Sequence, residues 1–277
     1  MTVSRTIMLV MIVAICPSIA HAQHYVMRDG TVLEAAAVER RDSMIVERLT
    51  EAGEEGVAER LHACSDVVRL EWPEPDALAA AREYFEKGAA EEALTLVEPL
   101  IHEFAMFAGV EGSWWDEAAL LKAQALLAVG RSAEATPVVQ ALLANRPTTE
   151  VKQLGRLLFV EIDLLAGRVE LASTMLEQIV RDEVLPGELA ARAWWLRGEV
   201  LSRQGKHEQA LEAYLHVPAF FGRERARRPA VLLGASAAYR KIGDRERADR
   251  SLNRLIREYP QHPLAARARE QMGTSDS

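Results

Sequence analysis

The segment 230-AVLLGASAAYRKIGDRERADRSLNRLIREYP-260 decides how the whole chain is read. Small and apolar residues run from Ala230 to Tyr239, Gly243-Asp244 interrupts them, and apolar residues return at Ala248, Leu252, Leu255 and Ile256 before Tyr259-Pro260. Spacings of three and four on both sides of the break predict two helices. The glycine between them supplies the left-handed backbone that ends the first helix and lets the chain reverse. The alanine five residues later sets the crossing, because antiparallel helices approach within about 8 Å only where a small side chain faces the partner. The same pair occurs four more times, at Gly88/Ala93, Gly130/Ala135, Gly167/Ala172 and Gly205/Ala210. Successive glycines lie 42, 37, 38 and 38 residues apart, the range in which each repeat is one helical hairpin.

Flanking residues extend the pattern. Ala81, Ala123 and Gly198 stand seven residues before their glycines, Tyr84 and Tyr239 four before theirs, and Tyr214 four after Ala210. Pro147 and Pro260 close their repeats seventeen residues after Gly130 and Gly243. In these features residues 74 to 272 resemble tetratricopeptide repeats, whereas HEAT and armadillo repeats share the period without the Gly/Ala pair. The resemblance implies a mainly α protein, an α–α superhelical solenoid of five hairpins from about 76 to 259. A capping helix follows over 263 to 272, where Arg267, Arg269 and Glu270 suit an outward face. The third hairpin departs most, with Asp163 at a large apolar position and Pro186 two residues late. Leu157, Leu158, Ile162, Leu164 and Leu165 still give it a helical stripe.

The first 22 residues follow the order of a secretory leader: Arg5, an apolar run over 7–15, then Ala20-His21-Ala22 with small residues on both sides of a cut. The mature chain is expected to begin at Gln23. The apolar run is far short of the roughly 20 residues of a spanning helix, and no later segment is long and apolar enough. A lipoprotein cut at Cys16 is a rival, disfavoured because Ile15 before it is not small. Without the leader Cys64 is the one thiol, so no intrachain disulfide forms and packing carries the stability.

Residues 23–73 change rhythm. Tyr25-Val26-Met27-Arg28, Asp29-Gly30 and Thr31-Val32-Leu33 form a hairpin signal. Met44-Ile45-Val46 and Val67-Val68-Arg69-Leu70 read as further strands around an exposed turn over 51–56, with helix competing for 57–63. The expected product is a small antiparallel β meander or SH3-like domain, joined by the stiff Trp72-Pro73-Glu74-Pro75 to a repeat domain spanning 74–277.

The chain carries a formal charge of −8, unevenly spread. Counting Lys and Arg against Asp and Glu gives −5 over 23–73, −10 over 74–217 and +6 over 218–277. Arg223, Arg225, Arg227 and Arg228 are either solvated charge or a docking patch for an acidic partner or an anionic lipid surface. Nucleic acid is disfavoured, because the basic segment lacks interleaved aromatics. His102, His207, His216 and His262 fall in separate stretches without metal-ligand spacing, and no phosphate loop or nucleophile elbow occurs. No catalytic, metal or cofactor site is expected, and the chain reads as non-enzymatic.

Tetratricopeptide arrays usually hold peptides on the concave face, lined by the first helix of each hairpin. Carried over, this implies a partner groove of Arg82, Phe85, Gln124, Leu127, Glu161, Arg192, Trp195, Glu199, Arg203, Arg240 and Lys241. Leu157 and Leu164 complete an apolar centre, and the arginines give one end that selects an acidic or carboxylate-bearing stretch. The Lys/Asn carboxylate clamp of the chaperone-tail-binding subfamily is not matched. Trp114-Trp115 and Trp194-Trp195 each offer one ring for packing and one for binding. The last hairpin, with Pro263, Ala265 and Ala268, is similar to the repeats of the Tol-Pal coordinator and of outer-membrane assembly lipoproteins. That likeness implies a periplasmic adaptor, part of an envelope complex in envelope maintenance or energised transport. A peptidoglycan- or glycan-binding module using the tryptophans and the β segment is the alternative.

Overall fold

The computed structural model describes residues 23–50, 57–145, 147–182 and 184–273. The expected leader with Cys16 and the turn expected over 51–56 lie outside them. The chain divides into two compact units, Met1–Pro73 and Glu74–Ser277.

The first unit contains two three-stranded antiparallel sheets. β1 (His24–Met27) lies between β2 (Val32–Glu34) and β6 (Val67–Glu71), and β4 (Met44–Thr50) lies between β3 (Val38–Arg41) and β5 (Val57–Ala63). Alternation decides the inward face: Tyr25 and Met27 are buried while His24 and Val26 are only partly covered. Asp29-Gly30 makes the turn as expected, with Gly30 at φ 88° and the Asp29 carboxylate accepting from the Thr31 amide at 2.9 Å. The helix reading of 57–63 fails, because all seven residues pair in register with β4, from Thr50↔Val57 to Met44↔Ala63. β3 carries Glu39-Arg40-Arg41 on an edge, so no apolar alternation announces it. Cys64 is buried and unpaired, and burial pushes its thiol up.

The second unit holds eleven helices among the described residues. The five hairpins are α1 (Asp76–Glu86) with α2 (Ala90–Phe104), α3 (Trp115–Ala128) with α4 (Ser132–Ala144), α5 (Thr149–Leu165) with α6 (Val169–Asp182), α7 (Gly187–Arg203) with α8 (His207–Phe220), and α9 (Arg228–Lys241) with α10 (Arg245–Glu258). The cap α11 (Pro263–Gly273) packs on α10 and α9. Each phased glycine sits at φ between 75° and 89°, and each first helix ends in the same pair of hydrogen bonds. In the last hairpin the Asp244 amide donates to the Tyr239 carbonyl at 2.9 Å and the Gly243 amide to that of Arg240 at 3.2 Å. This is the Schellman closure. Ala93, Ala135, Ala172, Ala210 and Ala248 have no exposed surface. Asp163, the apolar-position exception, is buried beside Arg168, whose Nε donates to its carboxylate at 2.8 Å. The residue after Gly167 thus compensates the substitution five residues before it.

Apolar contacts form a series of clusters along the array, such as Leu126, Val139, Leu158 and Ile162, then Leu157, Leu176, Ile179 and Leu196, then Tyr214, Val217, Val231 and Ala238. The array also comes round on itself. A Cβ on Gly88, in the α1–α2 turn, would lie 3.3 Å from Cγ of Pro263, the first residue of α11. Among the described residues no helix is long and apolar enough to cross a membrane.

Candidate functional site on the inner face

First helices pack on one another as well as on their own hairpin partners: α1 on α3, α3 on α5, α5 on α7, α7 on α9 and α9 on α11. They form the inner layer, where a curved array brings successive repeats closest. The residues expected to make its apolar centre are not a surface. Leu127, Leu157 and Leu164 are buried in the clusters between hairpins, and Phe85 packs against the first of them. What the inner layer presents is polar.

Its middle is a charged cluster built by α5, α7 and the residue before α9. Arg192 keeps only 4 % of its surface exposed and donates from Nη2 to the Glu161 carboxylate. Trp195, one helical turn on, is half-buried, and the Arg227 guanidinium lies over its ring at 5.5 Å from the centroid. Burial first, and then the like charge of Arg192, lower Arg227 to about 10, with Glu161 and Glu188 opposing the shift. Arg227 is therefore charged at neutral pH. Two guanidiniums converge near Glu161, which accepts from Arg192, and Glu188, and Arg192 Nε and Trp195 Nε1 are buried without hydrogen-bond partners. Such a cluster can accept another carboxylate by charge-assisted hydrogen bonds.

A second group sits one turn further along α7. Tyr214 reaches from α8 between α7 and α9, and its hydroxyl donates to Glu199 Oε1 at 2.8 Å. Gly198 and Gly234 make the passage, since a Cβ at either would fall 2.4 or 2.6 Å from the ring. Burial raises the Glu199 carboxyl, opposed by the Tyr214 hydroxyl, Arg203 and Arg267 of α11, while the charge of Glu161 adds to the rise. Arg203 also donates to the Leu164 carbonyl.

The remaining expected groove residues are dispersed. Arg82 pairs with Glu74 at 2.8 Å, Gln124 is half-buried and Lys241 is exposed. Arg240 turns to its neighbours, donating to Asp249 at 3.4 Å and to the Gln271 carbonyl at 3.2 Å. Arg192 and Arg240 are thus held by internal partners, a correction to their reading as open selective charges. Packing between successive first helices causes both, because it brings Glu161 of α5 to Arg192 of α7 and Gln271 of α11 to Arg240 of α9. The basic patch divides as well: Arg223 and Arg225 are exposed, whereas Arg227 covers Trp195 and Arg228 donates to the Gly222 carbonyl. Sequence reading missed Arg227 as an inner-face residue, although its place directly before a first helix was a usable signal.

The tryptophan pairs also resolve. Trp115 is buried and Trp114 half-buried. Trp194 stacks on His216 with ring centres 3.7 Å apart, and Arg197 lies over it at 5.1 Å. Among the described residues no group of three or more His, Cys, Asp or Glu side chains could hold a metal.

Tetratricopeptide-repeat family models match residues 163–220 and 230–262. The search of curated proteins found no sequence match. A thermophilic TPR protein of Thermus thermophilus superposes with a TM-score of 0.54 at 18% identity, over 71% of this chain and 97% of that one. TPR-like repeats of a kinesin light chain from Podosopora anserina align with a TM-score of 0.46 at 19% identity, over 70% of this chain and 95% of that one. The first match carries the fold; its identity is too low to carry a ligand. Five phased Schellman turns, five buried crossing alanines and the two family matches make the second unit a tetratricopeptide-repeat-like solenoid.

Proposed function

We propose that this protein-interaction scaffold is an exported, non-enzymatic adaptor of the cell envelope whose inner face receives a carboxylate-bearing segment of a partner. The observation behind the reading is the cluster of Arg192, Arg227 and Trp195, where Arg192 Nε and Trp195 Nε1 are buried donors without hydrogen-bond partners beside the Arg227 guanidinium, and Glu161 and Glu188 are the carboxylates that act on it. Export rests on the leader order of the first 22 residues, and the envelope role on the likeness of the last hairpin to periplasmic repeats. The engagement of Trp194 by His216 and Arg197 favours a protein ligand over a glycan that would stack on the ring.

Cell fractionation with N-terminal sequencing tests the location: a periplasmic chain beginning at Gln23 is expected, and a cytoplasmic chain retaining Met1 overturns it. Affinity capture from envelope extract tests the site. Arg227→Glu should lose the proteins that the wild type recovers, because reversal puts a second carboxylate beside Glu161. Recovery of the same proteins by wild type and variant overturns the inner-face reading. Muropeptides should leave tryptophan fluorescence unchanged.

A further inference from the structure

The opposite side of the array carries a groove of about 520 Å³ between α8 and α10, with α9 as its floor. Its floor and near wall are apolar: Val231, Leu232 and Tyr239 from α9, and Leu215, 42% exposed, from α8. Its far wall is basic. Arg247, Arg250 and Arg254 line the groove from α10 at spacings of three and four, one stripe spanning about 10 Å of helix. Arg228 lines it too, and its Nε is buried without a hydrogen-bond partner. Four guanidiniums therefore meet one lining carboxylate, Glu258, in the part of the chain whose charge is +6 against −10 for the preceding hairpins.

We propose that this groove docks an acidic amphipathic helix of a partner protein, laid between α8 and α10. Its apolar stripe rests on the α9 floor and its carboxylates, three and four residues apart, face the α10 arginines. A helix fits because two parallel helical walls over a helical floor present a channel into which another helix's ridge packs. The arginines are available for exchange. Arg247 pairs with Asp244 at 3.4 Å, Arg250 with Glu246 at 3.4 Å and Arg254 with Glu258 at 2.8 Å, and exposed pairs of this kind hold weakly. This surface is separate from the inner face, so the two readings stand or fall independently.

The probes are three labelled synthetic peptides: an amphipathic helix with a leucine stripe flanked by glutamates, the same peptide with lysines for glutamates, and a glutamate-rich peptide without leucines. Fluorescence anisotropy with the full chain should show binding of the first alone, weakening from low to moderate salt. Ser251→Trp, which fills the groove from α10, should abolish it with an unchanged thermal melt. Arg250→Glu with Arg254→Glu, both exposed, should weaken it about tenfold or more and serves if the tryptophan variant fails to fold. Arg227→Glu should leave it unchanged. The proposal is overturned if the acidic amphipathic peptide does not bind, if the lysine peptide binds equally, or if both groove variants bind as the wild type does. It is also overturned if sedimentation shows self-association that Ser251→Trp abolishes, since the occupant is then a second copy.

Discussion

Tyr214 shows how single residues fix this array. Its ring occupies space that Gly198 and Gly234 leave on two different helices, and its hydroxyl ends on Glu199. Replacing either glycine by alanine should destabilise the protein by about 1–3 kcal/mol in urea melts, because the ring must leave a packed site. The double variant should cost less than the two added together, since one displacement relieves both clashes. Gly198 and Tyr214 were legible as repeat positions; Gly234 was not, because it lies off the phased series and its reason is a neighbour in another hairpin. Asp116 gives a pH-dependent case. Burial, then the charge of Glu117, raise its carboxyl to about 6, and its Oδ1 has no hydrogen-bond partner. The native state therefore holds a proton that the unfolded chain releases near its ordinary value, and stability falls as pH rises between about 4 and 6. Asp116→Asn should raise stability at neutral pH by about 1 kcal/mol and change little below about pH 4, as read from melts across that range.

The hairpin was the most legible element, because its turn and its crossing each demand one residue type at one place. The five hairpins followed from the five Gly/Ala pairs, and the cap from the same phase together with Arg267, Arg269 and Glu270. Ala210→Leu should therefore overpack the α7–α8 crossing, where Ala210 has no exposed surface, and lower stability by about 1–3 kcal/mol in thermal or urea melts. An unchanged melt would mean that the crossing can open, contrary to its packing. The α5–α6 hairpin tests the rule by its exception. Arg168→Ala should leave the buried Asp163 without its guanidinium and cost about 1–3 kcal/mol, whereas Asp163→Leu with Arg168→Ala should restore most of the loss by returning the position to the apolar pattern. Strands were less legible. β3 and β5 expose Glu39, Arg41, Glu59 and Arg60, which pair across the sheet (Arg48 with Glu39, Arg41 with Glu59, Arg60 with Glu47) rather than alternate with apolar residues, so periodicity carries little of their signal.

At the scale of the whole molecule, curvature separates the sequence reading of the site from its geometry. Small rotations between hairpins accumulate, and no local motif records their sum. The expected groove residues lie on the expected helices, yet Leu127 and Leu157 are buried in the clusters between hairpins, Arg192 is buried against Glu161, and Arg240 is turned to Asp249 and the Gln271 carbonyl. Gly88, in the α1–α2 turn, also lies beside Pro263 at the start of α11. In an open solenoid each hairpin feels only its neighbours, so disturbance fades along a line. Here the last helix also touches the first turn, and the line becomes a circuit through which local opening at one end is communicated to the other. Pro263→Ser, which removes the ring beside Gly88 and spares the buried Ala265 and Ala268, should therefore quicken amide exchange in α1 and α2 although four hairpins intervene. Exchange altered only in α9, α10 and α11 would show the circuit to be open, and the first and last repeats to fluctuate as strangers.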